Sequence, residues 1–337
     1  MLHRHLSVPL HRSAYSHEAV LVQGPRGAGK TTLLRREFPG HTYASLDDAA
    51  DRARARQGPG GFLARFRGPA IVDDLHRAPE LVSFLTSHPA PTSIVFASSR
   101  RLRLPMPTYE LHPPTGAERQ RRTALSLEML GRFVPAKPMA MAPYPMWIPP
   151  RRFLETDVRE LVSVHDMDRF ERFLEVARGK SGGVMDQQAM AEESGVSHST
   201  VGRWIEVLDT CFLTLRLAAA DFDGGRRLIR RPKIHFLDGG PFESRVISEI
   251  YRNAKHAGEA TDLRFWRDSN GFEIPLILQH EGAASMPVSI AEAVTPHEVA
   301  RLRRWMELAG VTQGALISER EGAVRGGNIH RYSMAQL

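Results

Sequence analysis

The chain has 337 residues, of which 42% are hydrophobic, and its formal net charge is +7. This length and apolar content suffice for two or three packed domains, and the positive charge favours polyanionic partners such as nucleic acid. The single cysteine, Cys211, excludes an intrachain disulfide. No apolar run reaches the roughly 18 residues of a membrane span, and the first residues lack a signal-peptide pattern. We therefore expect a cytoplasmic protein without a membrane partner.

A glycine-rich segment near the start of the chain is the most specific motif. It fits the pattern G-x-x-x-x-G-K-[ST], follows a predicted strand at 19–23 and precedes a predicted helix at 32–38. Glycines let backbone N–H groups turn around phosphate oxygens, and a helix start adds partial positive charge. The predicted nucleotide-binding residues are Gly24, Pro25, Arg26, Gly27, Ala28, Gly29, Lys30, Thr31 and Thr32. Lys30 is expected to reach the β- and γ-phosphates of ATP, and the Thr31 hydroxyl to bind Mg²⁺.

A second apolar segment, residues 70–74, predicts a strand that ends in two acids. The carboxyl ends of parallel strands share one edge of a sheet, so these acids are expected beside the phosphate loop. Asp73 would hold Mg²⁺ directly or through water, and Asp74 would orient or activate the attacking water. A plain acidic turn is the alternative. In ATPases with this kind of loop and acidic strand, the second acid is usually glutamate. The shorter Asp74 side chain is expected to slow hydrolysis.

Further elements of this part of the chain bring other polar residues toward the same edge. Helices are predicted within 1–18 and at 49–57 and 115–133, and strands at 41–46, 93–99 and 109–111. Ser98 or Ser99 could sense the γ-phosphate through the attacking water, and a serine turn is the equal alternative. Arg100, Arg101 or Arg103 could act as an arginine finger, although a solvated basic loop is favoured for each one.

Residues 187–208 carry the second informative pattern. A small residue in one predicted helix, a glycine turn and a second helix with an apolar face give the spacing of a helix–turn–helix. In a DNA-binding version the second helix enters the major groove of double-stranded DNA. The residues expected to face outward are Ser197, His198, Ser199, Thr200 and Arg203, with Ser197 as the helix cap.

Two strand candidates at 211–218 and 226–237, joined by a turn at 223–225, would complete a winged helix. The predicted wing is basic and suits contacts with the phosphate backbone of DNA. Its basic residues are Arg226, Arg227, Arg230, Arg231 and Lys233. The open alternative is a winged helix that serves only for packing between domains or subunits.

The patterns together predict an α/β fold in several parts. The expected parts are a P-loop NTPase domain with a parallel sheet at 1–133, a linker at 134–150, a helical and winged-helix domain at 151–240 and an α/β domain at 241–337. Within the last part, helices are predicted at 242–257 and 298–308, and strands at 264–267, 272–279, 288–294 and 314–317.

Segments from nearly the whole chain match one known family. They lie at 24–34, 45–48, 73–81, 153–159, 232–238 and 265–268. In these segments the chain resembles the prokaryotic AAA-type ATP-binding proteins, whose C-terminal domain of unknown function often looks like a restriction endonuclease. The resemblance implies a cytosolic, ATP-driven switch or remodeller, with DNA among the partners to be considered.

The C-terminal part departs from the nuclease pattern that this resemblance implies. That pattern has a glutamate on the first helix, then Glu-hydrophobic-Asp and Glu-x-Lys, whose acids hold a metal. Glu243 or Glu249 could be the first acid, but Pro275 stands where the aspartate should follow Glu273, and the segment 292–294 lacks the lysine. We therefore expect a restriction-endonuclease-like scaffold without a metal site and without nuclease activity.

These observations predict a protein that hydrolyses Mg-ATP and uses its nucleotide state to switch or remodel a DNA or protein partner. The predicted catalytic residues are Lys30, Asp73, Asp74 and Ser98, the metal ligands are Thr31 and Asp73, and the cofactors are ATP and Mg²⁺. The alternative is an ATP-liganded winged-helix regulator of DNA with little or no turnover. A homo-oligomer is a further option, because AAA-type sites often lie between subunits.

Overall fold

The computed structural model describes residues 2–17, 19–90, 93–121, 158, 161–162, 167–222, 224–260, 262–279, 285–319 and 327–337. The chain forms two compact units. One contains residues 1–122, 210–212 and 255–258, and the other contains residues 123–209, 213–254 and 259–337. The predicted linker at 134–150 and most of the predicted helix at 115–133 lie outside the described residues.

In the first unit, helices and strands alternate along the chain. The helices are α1 (Ser7–Ser16), α2 (Lys30–Glu37), α3 (Ala49–Gln57), α4 (Pro59–Ala64), α5 (Pro79–Leu85) and α6 (Gly116–Arg119), with a 3₁₀ turn at Leu75–Arg77. The strands are β1 (Ala19–Gln23), β2 (Thr42–Ser45), β3 (Ala70–Asp73), β4 (Ile94–Ser98) and β5 (Thr108–Glu110). The strand–loop–helix and the acid-bearing strand predicted from the sequence are both present.

The five strands form one parallel sheet in the order β2-β3-β4-β1-β5. Strands of such a sheet are covered on both faces, and every residue of β3 and β4 is buried. In the pairing, Gln23 lies opposite Ser98, and Ser45 lies opposite Asp73. The carboxyl ends of β1, β2, β3 and β4 therefore meet at one edge, where the phosphate loop and both acids emerge.

Apolar layers cover the two faces of this sheet. Leu21 and Phe96 belong to one layer with residues of α3, α4 and α5, whereas their neighbours Val20 and Val95 belong to the other. This alternation follows from the two-residue period of a strand. Leu10 of α1 is buried in the second layer, so the helix predicted near the start of the chain packs on the sheet.

The remaining elements that the structure describes begin at residue 167. The helices are α7 (Met167–Gly179), α8 (Gln187–Ser194), α9 (His198–Thr210), α10 (Phe242–Ala257) and α11 (Pro296–Ala309). The strands are β6 (Thr214–Ala219), β7 (Lys233–Phe236), β8 (Asp262–Arg267), β9 (Glu273–Gln279), β10 (Met286–Ala291), β11 (Gly314–Ser318) and β12 (Ile329–Ser333), with a 3₁₀ turn at Met334–Gln336.

The pair α8 and α9 has the predicted arrangement of two helices around a glycine. Gly195 has φ +69° and ends α8 in the left-handed conformation that glycine adopts readily. Trp204 of α9 is buried, and its ring packs against Phe170 and Phe173 of α7 with centroids 5.4 Å apart in both cases. A third helix therefore anchors the second helix of the pair.

The second unit contains a mixed sheet of seven strands in the order β12-β11-β10-β9-β8-β6-β7. Within it, β6 pairs antiparallel with β7 and parallel with β8. The predicted strand at 226–237 is a strand only over Lys233–Phe236. Pro232, which has no N–H for a ladder, precedes this strand. The two strands expected to form a separate wing are thus at the end of a larger sheet. The other strands of this sheet follow residue 240 in the chain.

Most other elements of this unit match the sequence prediction within a few residues, and α10 has the predicted bounds. Its residues Val246, Ile247 and Ile250 are buried in the core beside the sheet residues Phe265 and Leu276. The strand β12 was not predicted. Among the residues that the structure describes, no helix is long and apolar enough to cross a membrane.

Candidate functional site

Residues 24–31 form a tight loop between β1 and α2. Gly24 has φ +154°, and a Cβ placed there would lie 1.9 Å from the carbonyl oxygen of Leu111, so only glycine fits. Gly29 has φ +92° and directly precedes α2, which begins at Lys30. The first N–H groups of a helix have no intrahelical partner. The loop therefore presents such groups near the carboxyl end of β1.

The side chain of Lys30 lies along this loop. Its Nζ donates hydrogen bonds to the carbonyl oxygens of Gly24 at 2.7 Å and Pro25 at 3.0 Å. An ammonium group has three donors and no acceptor, so it can bind several phosphate oxygens at the same place. The predicted lysine is thus held within the loop that the motif defines.

The two residues predicted to bind Mg²⁺ meet between the loop and β3. The Thr31 hydroxyl donates to Oδ2 of Asp73 at 2.6 Å, and the Tyr43 hydroxyl donates to the same oxygen at 3.1 Å. A hydroxyl and a carboxylate are hard oxygen ligands, and Mg²⁺ commonly combines one or two protein ligands with phosphate oxygens and water. Thr31 and Asp73 therefore fit Mg²⁺ by both chemistry and proximity.

Asp74 adopts an uncommon backbone conformation at the end of β3. Its φ and ψ are 58° and 38°, in the left-handed region. Its N–H donates to Oδ1 of Asp73 at 2.9 Å, and the Ser45 hydroxyl donates to its Oδ2 at 3.4 Å. Burial, and then the charge of Asp73, raise the pKa of Asp74. A carboxylate with a raised pKa is a better proton acceptor.

Ser98 is fully buried at the end of β4, and the backbone of the next residues engages its hydroxyl. The hydroxyl donates to the carbonyl oxygen of Arg100 at 2.7 Å and accepts the N–H of Arg100 at 3.1 Å. The imidazole of His76 lies beside it, with Nδ1 3.5 Å from the Ser98 hydroxyl oxygen. Sequence reasoning singled out Ser98 and passed over His76, although His76 follows the two acids closely.

Arg4 is a buried residue that holds the backbone of the phosphate loop. Its Nη1 donates to the carbonyl oxygen of Ala28 at 2.9 Å, its Nη2 to that of His112 at 2.5 Å, and its Nε to the Glu118 carboxylate at 3.1 and 3.2 Å. Arg4 is only 6% exposed. Its partners lie between 24 and 114 residues away in the chain, so no local sequence signal could have identified it.

The carboxylate of Glu118 is the centre of this buried group. Burial opposes its ionisation, but hydrogen bonding to His256 and the positive charge of Arg4 outweigh burial and lower the pKa of Glu118 to about 2. His256 Nδ1 lies 3.2 Å from Oε2 of Glu118, and the backbone N–H of His5 donates to Oε1 at 2.9 Å. Glu118 is therefore ionised at neutral pH and holds Arg4 in place.

One of the three arginine-finger candidates is engaged inside the first unit. Arg101 Nη1 donates to Glu110 at 2.5 Å, and its guanidinium lies 4.5 Å from the centroid of the Phe212 ring. Arg100 is half-buried, and Arg103 is exposed. An arginine finger at one of these three positions stays a prediction.

The residues predicted to face DNA lie together at the start of α9. Ser197, Ser199 and Arg203 are exposed, and Thr200 is half-buried. The backbone N–H of Thr200 donates to the Ser197 hydroxyl at 3.2 Å, which is the predicted helix cap. The Ser197 hydroxyl also lies within 3.0 Å of the Ser199 hydroxyl and 2.8 Å of the Thr200 hydroxyl. These side chains form one exposed polar surface.

The basic residues of the predicted wing have contacts within the chain. Arg226 Nη1 donates at 2.6 Å to Oδ2 of Asp268, which is 1% exposed. Arg230 donates to the carbonyl oxygen of Ala220 at 3.1 Å, and Arg227 is exposed. Arg226 therefore neutralises a buried carboxylate, because the loop that carries it folds onto the seven-stranded sheet.

Two acids of the expected nuclease pattern also meet, but around a lysine. Lys233 Nζ donates to Oε1 of Glu243 at 2.7 Å and to Oε1 of Glu273 at 2.5 Å, and Lys233 is 2% exposed. Burial raises the pKa of Glu243, and the charge of Lys233 opposes this effect. Across the described ranges, no group of three or more His, Cys, Asp or Glu side chains is suited to hold a metal ion.

Comparison with known proteins adds two family matches. A model described as an AAA domain matches residues 16–108, and one described as a domain of unknown function matches residues 151–245. No curated protein matches the chain.

Two solved structures share weak similarity with the chain. One is AMPPCP-bound DnaA from Aquifex aeolicus, at 12% identity over 59% of this chain and 80% of that chain, with a TM-score of 0.24. The other is a DNA replication initiation factor, at 16% identity over 58% of this chain and 69% of that chain, also with a TM-score of 0.24. Scores this low carry no argument about this chain.

The class of the first unit follows from its geometry and its family match. A strand, a phosphate loop and a helix, with an acid-bearing strand in the same parallel sheet, are the arrangement of a nucleotide-binding P-loop ATPase. The AAA domain match over residues 16–108 supports the narrower class of AAA-type ATPases.

Proposed function

We propose that this protein binds and hydrolyses Mg-ATP and that its nucleotide state switches or remodels a DNA or protein partner. The observation that carries the proposal is the 2.6 Å contact between Thr31 and Asp73, directly beside the loop that holds Lys30. Lys30 and Thr31 begin α2 and Asp73 ends β3, and hydrolysis of a nucleoside triphosphate requires all three groups at one place.

In this proposal the loop binds the triphosphate and compensates its charge. Backbone N–H groups of residues 24–31 and the Lys30 ammonium bind the β- and γ-phosphates, where negative charge moves during transfer. Thr31 and Asp73 would hold Mg²⁺, which when bound neutralises phosphate charge. The Tyr43 hydroxyl orients the Asp73 carboxylate through their 3.1 Å hydrogen bond.

Asp74 is the residue we assign to the attacking water. It would orient this water and accept its proton as the water oxygen bonds to the γ-phosphorus, while the bond from that phosphorus to the β,γ-bridging oxygen breaks and ADP leaves. The raised pKa of Asp74, caused by burial and then by the adjacent Asp73 charge, suits proton acceptance. Ser45 limits the rotation of the Asp74 carboxylate through a 3.4 Å hydrogen bond.

The test is phosphate release from Mg-ATP by the full chain, with and without double-stranded DNA. Lys30→Ala should abolish turnover and weaken ATP binding, whereas Asp74→Asn should slow turnover about 100-fold to 10,000-fold and keep binding. Asp168→Asn changes an exposed carboxylate on α7 and is the matched control. Equal turnover in the wild type and Lys30→Ala would refute the proposed site. Stimulation by DNA would identify DNA as the partner, and Lys30-dependent turnover that ignores DNA would favour a protein partner.

The exposed polar start of α9 favours a second candidate, a DNA-binding regulator that uses ATP as a ligand with little turnover. Arg203→Ala should weaken binding of double-stranded DNA, because the arginine lies beside three hydroxyl-bearing residues on an open surface. The control is Arg303→Ala, which removes an exposed arginine from α11. Equal DNA affinities for the two variants would remove this surface from consideration.

The same experiments separate the two candidates. Tight binding of ATP and DNA without multiple turnovers would favour the regulator, and sustained phosphate release would favour the ATPase switch. We also propose that the chain forms a homo-oligomer, because AAA-type ATP sites often lie between subunits. Sedimentation of the chain with and without ATP tests it, and a monomer in both conditions would contradict it.

A further inference from the structure

His76 is a buried polar residue beside the proposed ATP site that the mechanism above does not use. It lies in the 3₁₀ turn Leu75–Arg77, immediately after the two acids of β3, and it is 6% exposed. Its ring contacts the end of β4 through Ser98 and Ser99. His76 thus joins two strand ends that face the phosphate loop.

The hydrogen bonds of His76 fix which ring nitrogen carries the proton. The backbone N–H of Ser99 donates to Nδ1 at 3.4 Å, so Nδ1 is an acceptor. Burial, followed by the charges of Arg100 and Arg77, lowers the pKa of His76 to about 3, so the ring is neutral at pH 7. A neutral imidazole that accepts at Nδ1 carries its hydrogen on Nε2.

This Nε2–H group is a buried donor that has no acceptor among the described residues. A buried donor without an acceptor is unfavourable and calls for an explanation, such as a ligand that binds there. The charges of Lys30 and Arg26, both in the phosphate loop, act on the ring together with those of Arg100 and Arg77. The combined positive charge of these four residues makes an anion the favoured partner for this donor.

We propose that His76 Nε2–H is the donor that distinguishes ATP from ADP by binding an oxygen of the γ-phosphate. This inference rests on the proposed ATPase function and names the residue that detects the terminal phosphate. Ser98 is less suited, because its hydroxyl donates to the carbonyl oxygen of Arg100. Nε2 is shielded from solvent, so the contact requires a shift of the turn Leu75–Arg77, and the shift would move the adjacent Asp74.

The experiment compares nucleotide affinities of the full chain for Mg-AMPPNP and Mg-ADP. His76→Asn keeps a polar atom near Nδ1 and loses the donor at the Nε2 position, whereas His76→Gln keeps a donor at that distance. His76→Asn should weaken AMPPNP binding about tenfold to a hundredfold, the range for a hydrogen bond to a charged group, and change ADP binding about twofold at most. His76→Gln should recover most of the AMPPNP affinity.

The control variant is His88→Asn, which changes an exposed histidine of the same unit. It should leave both affinities unchanged. Equal losses for AMPPNP and ADP in His76→Asn, or no loss for either, would overturn the proposal for His76 alone. A wild type that binds neither nucleotide, or binds both independently of Lys30, would overturn the proposed function as well.

Ring ¹⁵N NMR of the wild type provides a second measurement, in which a variant serves only to assign the signal. The His76 signal should show Nε2–H at neutral pH, and adding Mg-AMPPNP should shift it while Mg-ADP does not. Comparison with the spectrum of His76→Gln assigns the signal among the 15 histidines. Identical shifts with both nucleotides would refute the reading of the γ-phosphate.

Discussion

Replacing Arg4 by methionine should destabilise the first unit and weaken ATP binding together. Arg4 makes its contacts to Glu118, Ala28 and His112 while only 6% exposed. Methionine fills part of the same volume, but it leaves the Glu118 carboxylate without its arginine and the two carbonyl oxygens without their donor. Removing one partner of a buried ion pair costs about 3–5 kcal/mol.

The structure favours the lower end of that range. His256 Nδ1 remains 3.2 Å from the Glu118 carboxylate, and the backbone N–H of His5 still donates to it at 2.9 Å, so the carboxylate keeps part of its compensation. We expect the free energy of unfolding to fall by about 3 kcal/mol. ATP affinity should fall as well, because Ala28 lies inside the phosphate loop and loses its 2.9 Å contact with Arg4.

The assay is urea unfolding of the full chain, followed by ATP titration under conditions where each variant is folded. Arg12→Met is the matched control, since Arg12 is exposed on α1. Adding Glu118→Gln to Arg4→Met should recover part of the lost stability, because it removes the unpaired charge. An Arg4→Met protein within about 0.5 kcal/mol of the wild type, the usual range for surface changes, would show that Arg4 does not stabilise the first unit.

Three further predictions concern pH, hydrolysis and the second unit. The pKa of Glu118 is lowered from 4.5 to about 2, so its stabilising effect is complete above pH 4.5 and is lost as pH falls toward 2; Glu118→Gln should flatten acid unfolding in that interval. Asp74→Asn should reduce phosphate release about 100-fold to 10,000-fold while ATP still binds, and an unchanged rate would remove Asp74 from the mechanism. Lys233→Met should lower the free energy of unfolding by about 3 kcal/mol or more, since Glu243 and Glu273 would lose the buried ammonium between them; a stability equal to wild type in urea unfolding would contradict this.

The sequence predicted the first unit closely because its signals are local. Each buried strand is a short apolar run between polar turns, and the loop motif names its residues through fixed spacing. The meeting of Thr31 with Asp73 was also predictable, because parallel strands place their carboxyl ends at one edge. The 2.6 Å contact between them is what that topology implies.

Contacts between distant segments could not be predicted in the same way. Nothing near Arg226 in the chain indicates that Asp268 needs a partner, so the arginine resembled a DNA contact. Lys233 likewise belonged to a predicted basic wing, whereas its Nζ lies between Glu243 and Glu273. In both cases the arginine or lysine neutralises a carboxylate that the seven-stranded sheet brings close. The number of charged residues along the sequence does not reveal which of them pair in this way.

The backbone at Asp74 gives a physical reason for aspartate where related ATPases commonly have glutamate. With φ at 58°, position 74 is in the left-handed region, which aspartate and asparagine tolerate better than most other side chains. The short Asp74 side chain accepts a 3.4 Å hydrogen bond from the Ser45 hydroxyl, and the Asp74 N–H donates to Oδ1 of Asp73. A glutamate would gain reach at the expense of a less favourable backbone and a looser carboxylate. In the proposed mechanism, the backbone conformation at residue 74 therefore matters more than the length of the acidic side chain for placing the attacking water.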